Sequence, residues 1–332
     1  MNNSKTLFFN LLIFSILFIS SSNSWINCWM GLEINTLIFL TLTYNKKFLI
    51  NSEFSIKYYL IQSISSINFL LFILLINYNL IDSSNFYNFI LISLNLTLLM
   101  KMGSAPFHFW LVSIIEGISW NNTFILLTLQ KIPPMILISY YLNLKMLIIV
   151  IILNCLFGSL GGLNQLNIQK IMIYSSIYNF SWMFSSMIIS ENLFFFFISV
   201  YMLIFLNLTY LFSKFNLFFM NQLYLIKSNK LIMLIIFLNL LSLGGLPPFM
   251  GFISKWIISM YMIQTFNAIV LIMVLSSLVN LFYYIQLMYP FLIIQKFENK
   301  WSQSFKPNLV MMISSYFSLF SLIMSSMLML IY

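Results

Sequence analysis

The chain has 332 residues, of which 61% are hydrophobic, 18% aromatic and 6% charged, with a mean hydropathy of +0.99. A soluble domain carries about 25% charged residues, so this composition excludes a soluble domain of any size. The net charge of +9 comes from 15 basic residues, all of them lysines, against 6 acidic ones. The lysines are spread singly between apolar runs, whereas a nucleic-acid surface would cluster them, so we expect no nucleic-acid partner.

Apolar runs separated by short loops occupy most of the chain and predict an all-α polytopic membrane bundle of about 11 transmembrane helices. The hydrocarbon core of a bilayer is about 30 Å thick and needs about 20 apolar residues per helix. In chain order, the predicted spans are roughly Leu7–Ser22, Trp25–Thr43, Ile56–Ile76, Phe86–Ile115, Thr123–Leu142, Met146–Leu160, Ile171–Ile189, Leu193–Phe212, Leu231–Met262, Asn267–Ile294 and Leu309–Ile331. Because the loops are short, residues 1–332 are predicted to form a single integral membrane domain.

The fourth and ninth spans are too long for one straight helix, and each carries Gly and Pro at its centre. The fourth contains Gly103-x-x-Pro106 and the ninth contains Gly244-x-x-Pro247. Proline removes a helix hydrogen bond and clashes with the preceding turn. Both helices are therefore predicted to break inside the membrane, where such a break must be covered by protein or by a water-filled cavity.

The two predicted breaks lie five spans apart, and five is an odd number. This spacing predicts inverted five-helix repeats with two broken helices, an arrangement found in many transporters. Repeat one covers about 7–142, repeat two covers about 146–294, and an extra C-terminal helix covers about 309–331. The alternative is that Gly and Pro are simply more frequent in membrane helices than in soluble ones.

Four charged side chains lie near the middle of predicted spans: Glu33, Lys101, Lys131 and Lys255. A charge at the bilayer centre costs about 2.5–3.5 kcal/mol on insertion scales, which favours a functional reason for each. One acid cannot neutralise three bases, so at least two lysines must be neutral, solvated by buried water or shared with a partner protein. We predict a proton relay; the alternative is a set of structural ion pairs, which gain little once desolvation is counted.

The positions of these residues predict a direction for the relay. Lys101 and Lys131 lie near the midplane and hold the central proton, whereas Lys255 lies beyond the ninth-span break and hands it toward the outer face. His108 follows the first break, and histidine titrates near neutral pH, so it could load the relay from inside. A capping or packing role for His108 is an equally open alternative.

The lysines outside the spans predict the orientation of the chain. With alternating loops, one face holds Lys5, Lys46, Lys47, Lys170, Lys214, Lys227, Lys230, Lys296, Lys300 and Lys306. The opposite face holds Lys145 with Asp82 and Glu191. By the positive-inside rule, the N-terminus lies inside and the C-terminus outside.

No redox site is predicted in this chain. It has no Gly-rich phosphate loop after a strand, no cysteine cluster and no paired histidines for haem. Cys28 and Cys155 fall within apolar runs and fit no metal spacing, so they are interpreted as small apolar side chains. We therefore predict no cofactor and no metal here, and any electron transfer is expected on another protein.

A series of motifs between about Trp25 and Trp256 resembles the subunit 2 family of mitochondrial NADH:ubiquinone oxidoreductase (complex I). In order, these motifs are Trp29-x-Gly31-Leu32-Glu33-x-Asn35, Ile56-Lys57-Tyr58, Lys101-x-Gly103-x-Ala105-Pro106-Phe107-His108-Phe109-Trp110, Gln130-Lys131, Gly161-Gly162-Leu163-Asn164-Gln165, Tyr174-Ser175-Ser176 and Leu243-Gly244-Gly245-Leu246-Pro247-Pro248-x-x-Gly251-Phe252-x-x-Lys255-Trp256. The final fifty or so residues resemble the family only in hydropathy.

The resemblance implies a proton-translocating subunit of the complex I membrane arm, related to cation/proton antiporter subunits. It implies that Glu33 pairs with Lys101, that Lys131 is the central relay lysine and that Lys255 leads toward the outer face. The expected location is the mitochondrial inner membrane, with the N-terminus in the matrix and the C-terminus in the intermembrane space.

The resemblance also implies the chain's partners. These are other membrane-arm subunits and the lipid bilayer, without homo-oligomer formation. FMN, iron–sulfur clusters and ubiquinone are expected on other subunits of the complex. Two alternatives stay open: a stand-alone monovalent cation/proton antiporter subunit, and a non-catalytic scaffold that only completes the complex.

Overall fold

The computed structural model describes residues 3–44, 49–77, 84–223 and 230–293. Within these ranges the chain is helical and contains no strand, apart from one isolated antiparallel bridge between Asn167 and Phe219. The predicted all-α fold is confirmed. The chain divides into two compact units, Met1–Val150 and Ile151–Tyr332. The predicted eleventh span lies outside the described residues.

The first unit contains the helices that correspond to the first five predicted spans. They are α1 (Asn3–Ser21), α2 (Trp25–Thr43), α3 (Leu49–Asn77), α4 (Ser84–Met102), α5 (Phe109–Ile114), α6 (Trp120–Leu127) and α7 (Ile132–Tyr140). Two 3₁₀ turns, Ile115–Gly117 and Leu129–Lys131, follow α5 and precede α7. Helix α8 (Leu144–Gly162) begins in the first unit and ends in the second.

Within the first unit, neighbouring helices pack in chain order. Helix α1 packs on α2, α2 on α3 and α3 on α4, and α4 also contacts α7. Buried aromatic rings fill the space between α2 and α3, where Phe39 lies 5.2 Å from Tyr58 and 6.2 Å from Phe54 between ring centroids. The opposite face of α3 exposes Ile56, Leu60, Ile64, Ile67 and Leu71. We expect this exposed apolar stripe to face lipid.

The second unit contains the remaining described helices. They are α9 (Ile168–Ile189), α10 (Glu191–Lys214), α11 (Met220–Leu223), α12 (Lys230–Gly244), α13 (Met250–Ile263) and α14 (Asn267–Ile293). Helix α9 contacts α10, α13 and α14, and 18 of its 22 residues are buried. Five of these are serines, and each donates its hydroxyl to the carbonyl three residues earlier. Their polar groups are thus satisfied inside the helix, which permits a serine-rich helix in the core.

Six helical stretches of the described residues are long and apolar enough to cross a membrane. They are Trp25–Thr43, Ser52–Ile76, Trp120–Tyr140, Leu144–Gly162, Glu191–Lys214 and Asn267–Tyr289. Shorter apolar helices cover Lys5–Ser21, Tyr87–Met102, Met233–Gly244 and Met250–Ile263. Each of the ten predicted spans in the described part of the chain therefore corresponds to a helix or to a pair of helices.

Both predicted helix breaks are present, and they share one backbone geometry. Helix α4 is followed by Gly103 with φ 69°, and α12 ends beside Gly245 with φ 86°. Each glycine N–H donates to the carbonyls three and four residues earlier, and the next residue's N–H donates to the carbonyl five residues earlier, at 3.3 Å. This is the Schellman arrangement, in which glycine supplies the left-handed conformation at no steric cost.

The shared geometry corrects the pairing of the two motifs. The sequence comparison paired Gly103 with Gly244, whereas the left-handed residue of the second break is Gly245. The spacing to proline is preserved in the corrected register, because Gly103-x-x-Pro106 then matches Gly245-x-x-Pro248. The inverted relation of the two repeats stays a prediction.

A third interruption lies in the fifth span, which was predicted as a continuous helix. Helix α6 ends at Leu127, Thr128 adopts φ −122° and ψ −75°, and a 3₁₀ turn leads into α7. Pro133 and Pro134 follow directly in the first turn of α7, where their missing N–H groups cost least. The interruption places Lys131 at the end of the 3₁₀ turn rather than inside a regular helix.

Candidate functional site

The three lysines predicted for the relay are buried. Lys101 and Lys131 lie at helix interruptions, and Lys255, inside α13, reaches one with its side chain. Lys101, Lys131 and Lys255 are 7%, 5% and 7% exposed. Lys101 occupies the last turn of α4, Lys131 ends the 3₁₀ turn before α7, and Lys255 hydrogen-bonds to the end of α12. Backbone groups that a regular helix would use are available at each of these points.

Lys101 and Glu33 interact in the first unit without touching. Glu33 is half-buried on α2 and attracts the Lys101 ammonium electrostatically. Within the described structure the two groups form no direct ion pair, and the buried Nζ of Lys101 has no hydrogen-bond partner. The predicted pairing of these residues stays a prediction.

The carbonyl of Lys101 is bound by Gln62, a residue for which no role was predicted. Gln62, buried on α3, donates from Nε2 to the Lys101 carbonyl at 3.0 Å. Trp110 donates from Nε1 to the neighbouring Met100 carbonyl at 3.2 Å. Side chains therefore cap two of the carbonyls that the end of α4 leaves without helical partners.

Tyr58 is a second residue of the first unit without an assigned role in the relay. It is fully buried on α3, with the Glu33 carboxylate and the Gln130 side chain in its surroundings. Gln130 immediately precedes Lys131 in the 3₁₀ turn. In the sequence, Tyr58 stands out only as part of the motif Ile56-Lys57-Tyr58, because the residues around its side chain lie on other helices.

Lys255 is fixed in the second unit by three acceptors. Its Nζ donates to the Leu243 carbonyl at 3.0 Å and to the Gly244 carbonyl at 2.9 Å. Nζ also lies 5.2 Å from the centroid of the Tyr178 ring, within the range of a cation–π contact. The end of α12 carries the negative pole of the helix dipole, which favours a cation at this place.

His108 lies in the break that follows α4, directly before α5. It is 3% exposed, donates a hydrogen bond to the Pro106 carbonyl and packs its ring 4.2 Å from that of Phe109. These contacts fit the packing alternative, and the proton-loading role stays a prediction.

The part of the chain that the structure describes contains no cluster of side chains suited to bind a metal. No group of three or more His, Cys, Asp or Glu side chains there could hold a metal ion. Cys28 and Cys155 are both buried and free.

Broken membrane helices with ionisable groups at the interruptions define an antiporter-like membrane protein. The family described as "NADH:quinone oxidoreductase/Mrp antiporter, TM" matches residues 22–280. The protein named NADH-ubiquinone oxidoreductase chain 2 of Anopheles gambiae is 42% identical, over 98% of this chain and 97% of its own length. Its namesake from Locusta migratoria is 39% identical, over 92% and 91%. The chain belongs to the NADH-ubiquinone oxidoreductase chain 2 family.

A solved structure supports the fold independently. A chain of respiratory complex I from Thermus thermophilus, determined with bound aureothin, superposes with a TM-score of 0.83. The match covers 96% of this chain and 77% of that one, at 20% sequence identity. At this identity the likeness concerns the fold alone.

Proposed function

We propose that this chain is a proton-translocating subunit of the membrane arm of respiratory NADH–ubiquinone oxidoreductase, with Glu33, Lys101, Lys131 and Lys255 as its proton relay. The observation that carries the assignment of the relay is that two of the buried lysines lie at helix interruptions and the ammonium of the third, Lys255, reaches one. A random buried lysine would be expensive in the membrane and would have no reason to recur at these points.

The interruptions explain how a charge can reside at this depth. Carbonyls at a helix end, which have no partner within the helix, can accept hydrogen bonds from an ammonium group. The carbonyls of Leu243 and Gly244 do so for Lys255. Glu33 supplies the compensating negative charge for Lys101. In this scheme Lys101 and Lys131 exchange the central proton, and Lys255 passes it toward the outer face.

In this proposal, redox reactions on other subunits of the complex provide the energy for proton translocation. FMN, iron–sulfur clusters and ubiquinone reside on other subunits, and no redox step occurs in this chain. The translocase activity therefore belongs to the assembled complex, in the mitochondrial inner membrane, with the N-terminus on the matrix side and the C-terminus on the intermembrane-space side. Other membrane-arm subunits and lipid surround the chain, which forms no homo-oligomer.

The test replaces Lys131 by Met in the assembled complex and measures NADH oxidation and proton uptake in vesicles. We expect proton pumping to fall at least about tenfold, with NADH turnover falling through coupling. The matched control is Lys57→Met, because Lys57 is half exposed and pairs with Glu53 on the surface of α3. Normal pumping in the Lys131 variant would reject the relay and favour a scaffold role.

A stand-alone cation/proton antiporter subunit is the alternative, since the matching family also includes Mrp antiporters. Native gel electrophoresis separates the two functions. The proposal requires the chain to migrate with NADH dehydrogenase activity, and migration apart from that activity would favour the antiporter.

A further inference from the structure

The contacts of the Lys255 ammonium in the described structure are with acceptor groups. Its hydrogen-bond partners are the carbonyls of Leu243 and Gly244, and the face of Tyr178 lies on a further side. An ammonium carries three N–H donors and no acceptor, which matches two carbonyls and one electron-rich ring face. A neutral amine satisfies both carbonyls with its two N–H groups, so the Tyr178 ring face is the contact that distinguishes the charged form.

The Tyr178 ring is held in place from several directions. Its hydroxyl accepts a hydrogen bond from Trp182 Nε1 at 2.6 Å and donates to the Met273 carbonyl at 3.0 Å. Its backbone packs directly against Gly158 of α8, where an added Cβ would lie 2.5 Å from the Tyr178 nitrogen. A ring anchored at its hydroxyl and its backbone presents a fixed face to Lys255.

A small cavity adjoins the same lysine. It has a volume of about 10 Å³ and is lined by Lys255, Asn179, Tyr201, Ser242 and Ser254, among others. That volume approximates the space needed for one water molecule, and the lining offers several polar partners. A water at this place could accept the proton that Lys255 gives up, with an N–H bond breaking and an O–H bond forming.

We propose that Tyr178 is a positioning residue which, with the two carbonyls at the end of α12, holds the Lys255 ammonium charged until its proton is handed to the adjoining cavity. This proposal rests on the proposed function, because it assumes that Lys255 carries a translocated proton. In this proposal the ring face stabilises the ammonium, and the hydroxyl only adds to the anchoring that the backbone contact with Gly158 already provides.

The experiment compares Tyr178→Phe with Tyr178→Leu in the assembled complex. Phe keeps the ring face and loses the hydroxyl, so proton pumping should stay within about twofold of the unmodified complex. Leu removes the ring, and pumping should fall at least about tenfold. Two controls are Trp182→Phe, which removes the donor to the Tyr178 hydroxyl and keeps an aromatic ring at that buried position, and Tyr174→Leu, which removes a ring one turn earlier on α9. Both should retain pumping.

Assembly is followed on native gels, with Tyr178→Met as a second variant without a ring. Equal loss in the Phe and Leu variants would overturn the proposal, as would normal pumping in the Leu variant. Failure of both the Leu and Met variants to assemble would show that the ring is structural, and would also overturn it.

Lys255→Met separates this proposal from the relay on which it rests. Loss of pumping in Lys255→Met with normal pumping in Tyr178→Leu would reject the role of Tyr178 alone. Normal pumping in Lys255→Met would reject the relay assignment of Lys255 itself.

Discussion

Gln62 donates a hydrogen bond from Nε2 to the carbonyl of Lys101, at 3.0 Å, and thereby closes the end of a broken helix with a neutral side chain. The corresponding carbonyl of the second break is that of Leu243, since both lie two residues before a left-handed glycine. There the donor is Lys255, also at 3.0 Å. The same backbone position is therefore capped by an amide in one unit and by an ammonium in the other, which leaves the Lys101 ammonium available to interact with Glu33.

Replacing Gln62 by Leu should destabilise the broken helix, because it leaves the Lys101 carbonyl buried without this donor. An unsatisfied buried group costs about 1–3 kcal/mol, so we expect a lower temperature of inactivation for the assembled complex. The control is Ser63→Ala, since Ser63 donates within its own helix to the Leu60 carbonyl. Equal inactivation temperatures for the two variants would contradict a capping role for Gln62.

Replacing Gly251 by Ala should displace α13 from α12 and, with it, Lys255 one turn further along. A Cβ at this position would overlap the Ser242 carbonyl, which is backbone and cannot move aside cheaply. We expect loss of assembled complex on native gels. Gly244→Ala is the comparison, because its Cβ would meet the methyl end of the Leu281 side chain rather than backbone. Assembly of the Gly251 variant at the level of the Gly244 variant would count against this close approach.

Replacing Gly103 by Ala should strain the end of α4, because its φ of 69° places a Cβ in the left-handed region. That conformation costs a residue with a Cβ about 1–2 kcal/mol, and Asn tolerates it better than other residues. Both the Ala and the Asn variant meet Leu111 at the same Cβ. We expect both to be inactivated at a lower temperature than the unmodified complex, and an unchanged inactivation temperature in both would refute the strain.

Replacing Glu33 by Gln should slow proton pumping, because it removes the negative charge that attracts the Lys101 ammonium. The matched control is Glu53→Gln, which breaks a surface pair with Lys57 at 3.6 Å. Exposed pairs contribute about 0–1 kcal/mol, so the control should pump normally. Proton uptake per NADH in vesicles distinguishes them, and equal uptake would remove Glu33 from the relay.

Several elements of the fold and site could be predicted from the sequence because they are local properties of the chain. Apolar length predicted the spans in the described ranges, and Gly103 with Pro106 predicted the first helix break. The burial of Lys101, Lys131 and Lys255 followed from their place inside apolar runs. Backbone torsions then decided the register of the second break, where Gly245 rather than Gly244 is left-handed.

Tertiary structure decided which side chains meet. Gln62 reaches Lys101 because α3 packs on α4, and Tyr178 reaches Lys255 because α9 packs on α13. Neither pair has a signature in sequence spacing, since the partners lie on different helices. The sequence by itself determined that this chain lies in a membrane, breaks its helices there and buries lysines near the breaks. Only the packing of one helix on another determined which acceptors each ammonium group finds, because hydrogen bonds and ring contacts depend on ångström-scale distances that hydropathy does not encode.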